Sequence, residues 1–311
     1  MMKKTIRIGS RGSQLALWQA GWVQTQINQN HPDYTTQLVI IKTTGDKITD
    51  VPLAKVGGKG LFVKEIEEAL LDGRIDIAVH SMKDMPSEIP PGLCIGAVPR
   101  RENPLDALVS DRHASIDALP QGARLGTGSL RRAAQLLHYR PDLNIAPLRG
   151  NLDTRLKKLA DTDLDAIVLA SAGLKRLGMA DRITTYIEPQ IMLPAVGQGA
   201  LCIEGRINDK EIGPIVSGLD HTESHIAVLA ERAFSQRLEG GCQVPIAAHA
   251  TLDGHRVQIS GMVAELDGRL VLKDTVAGSS DQAAALGLKL AENLLAQGAG
   301  PILQRIMHNA Q

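Results

Sequence analysis

Cys242 is the residue of this 311-residue chain whose setting most clearly suggests chemistry. It lies in the stretch LEGGCQVP, residues 238–245, and it is one of three cysteines. Glycine tolerates positive φ and proline cannot continue a strand ladder, so the pattern predicts a tight turn that presents the thiol. A buried structural thiol is the usual role of a free cysteine, and it suits Cys94 and Cys202, which lie in apolar, strand-like runs. At Cys242 a functional thiol is an equally good interpretation.

Arginines close to the ends of predicted strands form a second candidate site. In GTGSLRR, residues 126–132, a strand gives way to a helix at Ser129, and helix N-termini bind carboxylates and phosphates. Taken singly, arginines are mostly solvated surface charges, but ligands of open α/β sheets bind where strands end. The glycine spacing matches neither the dinucleotide nor the P-loop pattern, so we predict a substrate with several carboxylates, which arginine binds well. The arginines concerned are Arg11, Arg131, Arg132, Arg149, Arg155 and Arg176.

Asp84 is an acidic residue that we place beside this basic set. It follows Lys83 in VHSMKDMP, where a carboxylate could pair with a cation developing on the substrate and transfer a proton. The alternative is a turn-forming aspartate before Met-Pro. A glycine-rich segment, KVGGKGLFVK, carries Lys55 and Lys59 ahead of Phe62. This is typical of a lid over an anionic ligand or of an ordinary mobile loop.

Composition argues against several classes of protein. Lys+Arg and Asp+Glu are equal at 34 each and aromatic residues make up 2% of the chain, which does not favour nucleic-acid binding. The odd cysteine count speaks against a disulfide framework. His221 and His225 are four residues apart on a predicted helix, but no third ligand is evident, so we expect no metal. We see neither a secretory signal nor an apolar run long enough for a membrane span, and therefore expect a cytoplasmic protein.

Strands and helices alternate through most of the chain, which predicts two similar, mostly parallel α/β domains facing one another. The first begins with the strand TIRIGS and a helix capped by Ser13, and the plan recurs after residue 105. The glycines and proline of LPAVGQGALCIEG suit a hinge back to the first domain. After about residue 220, a long helix, the Cys242 turn, three strands joined at Asp-Gly turns and a final helix predict an α+β domain. The predicted domains comprise residues 1–99 with 200–218, residues 100–199, and residues 219–311.

The motifs LEGGCQVP, VHSMKDMP, PLAKVGGKGLFVKE, GTGSLRR and LPAVGQGA, in this order and spacing, resemble the porphobilinogen deaminase (hydroxymethylbilane synthase) family over essentially the whole chain. The resemblance implies a transferase of tetrapyrrole biosynthesis. Such an enzyme joins four porphobilinogen molecules head to tail, releases ammonia and yields the linear hydroxymethylbilane. It also implies two periplasmic-binding-protein-like α/β domains around a cleft, a C-terminal domain with a three-stranded antiparallel sheet, and a monomer.

The resemblance further implies a dipyrromethane cofactor, which Cys242 holds through a thioether and which primes the growing chain. Asp84 would act on pyrrole nitrogens and assist deamination and bond formation. The cofactor would be bound by Ser81, Lys83, Asp84, Thr127, Ser129, Arg131, Arg132 and Arg155. The substrate would be bound by Arg11, Ser13, Gln19, Arg149, Arg155, Arg176 and Gln198. Lys55, Lys59 and Phe62 would belong to a mobile active-site loop.

Two positions depart from the family pattern. Gln14 stands where members often have proline, and Gly128 where they often have a serine, which leaves only the backbone N–H as a donor there. Two other classes stay open on the residues alone. A solute-binding module would have paired α/β domains and a hinge, but it leaves Cys242 unexplained and would normally be exported. A cysteine-nucleophile hydrolase would need His249 or His80 within hydrogen-bond reach of Cys242.

Overall fold

The structure, a computed structural model, describes residues 4–47, 60–239 and 244–309. The described residues form two compact units. The first contains those of 1–51, 58–102 and 200–226, and the second those of 103–199 and 227–311. Each unit contains a five-stranded sheet, and the second also contains a three-stranded sheet. No helix in the described ranges is long and apolar enough to cross a membrane.

Strands and helices alternate from β1 to β3 and from β6 to β9, as predicted, whereas β4, β5 and β6 follow one another directly. The first part of the chain forms β1 (Lys4–Ser10), α1 (Gln14–Asn30), β2 (Tyr34–Ile40), α2 (Thr44–Lys47), α3 (Lys64–Leu71), β3 (Ile77–Ser81), a 3₁₀ turn (Met82–Asp84) and β4 (Leu93–Ala97). The middle part forms β5 (Asp106–Val109), β6 (Arg124–Gly126), α4 (Leu130–Tyr139), β7 (Asn144–Ala146), α5 (Leu152–Asp161), β8 (Ala166–Ala170), α6 (Ser171–Arg176), a 3₁₀ turn (Ala180–Arg182) and β9 (Thr185–Ile187). The last part forms β10 (Leu201–Arg206), α7 (Gly213–Ser217), α8 (Thr222–Arg237), β11 (Ile246–Asp253), β12 (Arg256–Ala264), β13 (Val271–Ser279), a 3₁₀ turn (Ser280–Gln282), α9 (Ala283–Ala296) and α10 (Ala299–Asn309).

The two five-stranded sheets have the same arrangement of strand directions. Their strand orders are β2-β1-β3-β10-β4 and β7-β6-β8-β5-β9. In each, the fourth strand is antiparallel to both neighbours, and the other pairings are parallel. The reversed strand is in both cases the first strand after the chain passes from the other unit. The predictions of two similar, mostly parallel α/β halves and of a C-terminal α+β part are confirmed.

Helices cover both faces of the first sheet. Ile77 and Val79 of β3 face the same cluster as Val23 of α1, whereas Ala78 faces the cluster that contains Ile66 of α3. This alternation follows from the period of two in a strand. Each fully buried isoleucine or valine side chain contributes roughly 1.5–3 kcal/mol. The carboxyl ends of β1 and β3 are therefore fixed between two packed helix layers.

The C-terminal sheet β11-β12-β13 is antiparallel, with its first turn at the predicted Asp253-Gly254 pair. In its second turn Gly268 has φ of +71°, and a Cβ there would lie 2.5 Å from the carbonyl oxygen of Ala134 on α4. Glycine thus allows this hairpin to pack on the helix that carries Arg131 and Arg132. The predicted final helix corresponds to α9, and a further helix, α10, follows it after a turn at Gly298. Helix α10 was not predicted from the sequence.

Candidate active site

A small pocket in the first unit collects several residues of the predicted site. Ser13 is the N-cap of α1, and its Oγ accepts a hydrogen bond from the Ala16 N–H at 3.3 Å. This bond is the one predicted for a serine that begins a helix. Asp84 enters the pocket from the 3₁₀ turn that follows β3. The lining residues are Arg11, Ser13, Leu15, Ala16, Gln19, Phe62, Val63, Val79, His80, Ser81 and Asp84.

Arg11 is held in a defined orientation at this pocket. Its Nη2 lies 2.5 Å from Oδ1 of Asp46, and its guanidinium carbon lies 4.2 Å from the centroid of the Phe62 ring. Burial by itself would raise the pKa of Asp46, but hydrogen bonds from Arg11 and Thr43 bring it below its ordinary value. Stacking on an aromatic face stabilises a guanidinium. Phe62, which the sequence assigns to a lid, therefore supports Arg11 here.

The end of β3 is anchored on both sides. Ser81 Oγ accepts a hydrogen bond from Nε2 of the buried Gln19 at 2.9 Å. The next residue, Met82, donates its N–H to the Ala200 carbonyl at 3.0 Å. Lys83 and Asp84 follow on the 3₁₀ turn and are half-buried. These anchors determine where the Asp84 carboxylate lies.

In the second unit, Asp106 is the centre of a buried ionic cluster. Its Oδ2 accepts from Arg131 Nη1 at 2.7 Å, and its Oδ1 lies 2.8 Å from Arg132 Nη2. Gln198 Nε2 donates to Oδ1 at 3.0 Å. Both arginines are 5% exposed and Asp106 is fully buried. The structure therefore brings together three of the predicted residues, around an aspartate that the sequence analysis did not select.

The charges of this cluster do not cancel. Burial alone would raise the pKa of Asp106, but the charges of Arg131 and Arg132 hold it far below its ordinary value. Burial lowers the pKa of Arg132 to about 10, since it outweighs the attraction of Asp106; Arg131 and Arg155 lower it further. One carboxylate thus faces two guanidiniums. An excess positive charge with little water around it favours a bound anion.

The remaining predicted residues of the second unit lie near ends of strands and helices. Thr127 follows β6, is buried, and its Oγ1 accepts from the Ser129 N–H at 3.2 Å. Ser129 is the N-cap of α4, but its side chain does not cap that helix. Arg155 Nε donates to the Gly150 carbonyl at 2.9 Å, and Arg176 Nη2 to the Gly199 carbonyl at 2.7 Å. Arg149, like Arg155 and Arg176, is half-buried.

Gly128, the departure from the family pattern, has a packing role. A Cβ added here would lie 2.5 Å from the Leu148 carbonyl oxygen. Real Cβ atoms do not approach a backbone oxygen so closely, so the loop before α4 owes its proximity to Leu148 to the absence of a side chain.

Glu231 is a second buried carboxylate that the sequence analysis missed. Its Oε2 accepts from the Gly197 N–H at 2.7 Å and its Oε1 from the Ala250 N–H at 2.9 Å. It therefore links α8 and β11, which flank Cys242 in the sequence, to the residue next to Gln198. Glu231 lies within an amphipathic helix and Asp106 begins an apolar run. No local sequence pattern therefore marks either carboxylate as part of a site. Gln198 could be selected from the sequence because it belongs to the LPAVGQGA motif.

Three of the predicted residues, Cys242, Lys55 and Lys59, lie outside the described residues. In the part of the chain that the structure describes, no three His, Cys, Asp or Glu side chains are grouped to hold a metal. His221 lies 3.0 Å from Ser224 Oγ and His225 lies 2.8 Å from Asp220 Oδ1.

Two α/β sheets with the same arrangement of strand directions, and with arginines and carboxylates near the ends of their strands, define a two-unit α/β protein. The chain belongs to the porphobilinogen deaminase family. Residues 6–213 match the porphobilinogen deaminase dipyrromethane cofactor-binding domain, and residues 225–296 match the C-terminal domain of the same family.

Curated relatives agree over almost the full length. The porphobilinogen deaminase of Syntrophotalea carbinolica is 57% identical over 97% of this chain and 96% of its own length. That of Geobacter metallireducens is 53% identical over 98% of this chain and 96% of its own. Among solved structures, the methionine-binding protein MetQ aligns with a TM-score of 0.45 and 15% identity, over 69% of this chain and 89% of that one.

Family membership confirms the predicted enzyme class and the predicted cofactor. The chain is a transferase of tetrapyrrole biosynthesis, which joins four porphobilinogens head to tail, releases ammonia and forms hydroxymethylbilane on a dipyrromethane primer. Neither a solute-binding module nor a cysteine hydrolase is needed to explain the sequence.

Proposed function

We propose that Asp84 is the catalytic carboxylate of this reaction and that Cys242 carries the dipyrromethane through a thioether. One observation supports the first assignment above all: the pocket of the first unit contains Asp84 together with Arg11, Ser13 and Gln19. A carboxylate among cationic and hydroxyl donors suits a substrate that carries both carboxylates and an amine. The Cys242 assignment rests on the GGC motif of the sequence, residues 240–242.

The residues of the second unit fit a dipyrromethane. Each of its rings carries acetate and propionate groups, so the cofactor is a polyanion. Arg131, Arg132 and Arg155 supply the positive charge, and Thr127 and Ser129 stand at the start of α4, where N–H groups and the helix dipole attract anions. When bound, the cofactor supplies the first pyrrole carbon for chain growth.

Asp84 would act on the substrate in two ways. Departure of ammonia breaks the aminomethyl C–N bond and leaves positive charge on the pyrrole, which a nearby carboxylate stabilises. After the new C–C bond forms, the pyrrole carbon must lose its proton, and the same carboxylate can accept it. Arg11, Ser13 and Gln19, with Arg149, Arg176 and Gln198, would bind the substrate's carboxylates. Lys83 and Ser81 would hold the cofactor beside Asp84.

We expect a cytoplasmic monomer with no metal, membrane or nucleic-acid partner. Lys55, Lys59 and Phe62 would form a mobile segment over the substrate. The two compact units would comprise three domains, with residues 219–311 as the one that carries Cys242.

The covalent anchor is tested by the intact mass of purified active enzyme, together with the colour reaction of pyrroles with Ehrlich's reagent. We expect a mass above that of the bare chain by one dipyrromethane, and its loss in Cys242→Ser. A bare-chain mass with no pyrrole colour in active wild-type enzyme would refute the anchor.

The role of Asp84 is tested with Asp84→Asn. We expect this variant to retain cofactor mass and substrate binding but to lose most turnover, because the amide can neither balance the cation nor accept the proton. Asp33→Asn, at an exposed position of the same unit, is the matched control and should be unaffected. Near-normal turnover of Asp84→Asn would remove Asp84 from catalysis.

A further inference from the structure

Three buried ionisable side chains lie on the α3 face of the first sheet, behind the pocket. His80 Nε2 is 3.1 Å from Glu204 Oε2, and these side chains are 3% and 0% exposed. His80 is two residues from Ala78, the register partner of Glu204, so strand alternation places both side chains on one face. Glu67 of α3 is buried over this face and interacts electrostatically with both. We call these three residues the His80 cluster.

The His80 cluster has unsatisfied acceptors. Glu67 Oε1 and Glu204 Oε1 are both buried without a hydrogen-bond partner among the described residues. A buried acceptor left without a donor is costly, and native proteins rarely retain one without a reason. Two ionised carboxylates would leave the cluster with at least one uncompensated negative charge, whichever form the imidazole takes. One further proton would convert an acceptor into a donor and cancel that charge.

Glu67 is the group best suited to take up this proton. Burial raises its pKa to about 7, the charge of Glu204 adds to the increase, and His80 opposes it. On β4, burial and the charge of Glu204 likewise raise the pKa of the Cys94 thiol.

The basic residues on the other strands beneath α3 are engaged elsewhere. On β10, Arg206 donates to the Leu70 carbonyl at 3.0 Å and pairs with Asp209. On β1, Arg7 pairs with Asp76. Also on β10, Cys202 is the register partner of His80 and is fully buried, so its thiol lies beside the cluster.

The cluster is adjacent to the proposed catalytic residue along the chain and in space. His80 lines the same pocket as Asp84 and immediately precedes Ser81, which bonds Gln19. We propose that His80, Glu204 and Glu67 form a buried proton-binding cluster that positions the Ser81–Asp84 turn. Glu67 takes up the proton, and His80 transmits the change to the turn. The three are positioning residues, and the inference rests on the proposed role of Asp84.

The test compares full-length, cofactor-loaded wild type with Glu67→Gln, and uses Glu68→Gln as a matched control because Glu68 is the exposed neighbour on the same helix. The amide imitates the protonated carboxyl at every pH. At pH 6 the side chain of residue 67 is neutral in both proteins. We therefore expect kcat of Glu67→Gln to be within twofold of wild type at that pH. At pH 8.5 only the wild type is charged, and the ratio of the two kcat values should change at least threefold. Glu68→Gln should follow the wild type throughout.

A second readout does not depend on turnover. Carboxyl carbon NMR of ¹³C-glutamate-labelled protein should show a titration near pH 7 that is absent from Glu67→Gln. A kcat ratio that is constant between pH 6 and 8.5 would overturn the positioning role, and absence of the titration would overturn the proton site. Failure of the Asp84 assignment appears separately, as near-normal turnover of Asp84→Asn at all pH values.

Discussion

Replacement of Glu67 by glutamine should stabilise the first unit in a pH-dependent way. The folded protein raises the pKa of Glu67 from 4.5 to about 7. It therefore binds this proton more tightly than the unfolded chain does. The free energy of unfolding decreases as the pH rises from the pKa of Glu67 in the unfolded chain to its pKa in the folded protein, and then stays constant. A difference of about 2.5 in pKa corresponds to about 3 kcal/mol as an upper limit. Glutamine carries no titrating proton. The free energy of unfolding of the variant should therefore exceed that of wild type by up to this amount at pH 8.5, and by much less at pH 5.

The chain offers a specific probe for this measurement. Its two tryptophans, Trp18 and Trp22, both lie on α1, so tryptophan fluorescence during urea unfolding reports the first unit. The free energy of unfolding of wild type, Glu67→Gln and the exposed control Glu68→Gln would be measured at both pH values. If the advantage of Glu67→Gln over wild type were the same at pH 5 and pH 8.5, the charge of Glu67 would not be what destabilises the folded state.

Two further variants test the second unit. Asp106→Asn should lower the free energy of unfolding by about 3–5 kcal/mol, because it leaves two buried guanidiniums without their carboxylate; a loss as small as that of the exposed Asp163→Asn would refute this. Gly128→Ser should cost about 1–3 kcal/mol, since its Cβ would meet the Leu148 carbonyl, and it would shift the thermal midpoint. An unchanged midpoint would show that the loop relaxes freely.

Much of the site could be predicted from the sequence because its signals are local. Ser13 follows a strand and precedes an amphipathic helix, so its capping role is evident from the spacing, and the structure confirms it. Asp84 likewise follows a predicted strand, so its place at the end of that strand could be predicted. The two-fold recurrence of strand and helix likewise predicts two equivalent sheets. These features depend on neighbours within a few residues.

The carboxylates that organise the site could not be found in this way. Asp106 begins an apolar strand, and its partners Arg131 and Arg132 are on a different element. Glu204 lies in the run ALCIEG, which predicts a buried strand but not the partner of its glutamate. Buried charges are identified by what neutralises them, and that is a property of the tertiary structure. The sequence was therefore sufficient to predict the arginines but not the buried carboxylates that pair with them.

The position of β10 in the first sheet has a consequence for how the polypeptide acquires its structure. In the first sheet β10 lies between β3 and β4, although the whole middle part of the chain separates it from them in sequence. During synthesis, β3 and β4 emerge long before the strand that joins them. Until β10 arrives, their facing edges are unpaired, and such edges can pair with other chains. The first half therefore cannot complete its sheet as an independent nascent domain, and its completion requires a slow, long-range closure.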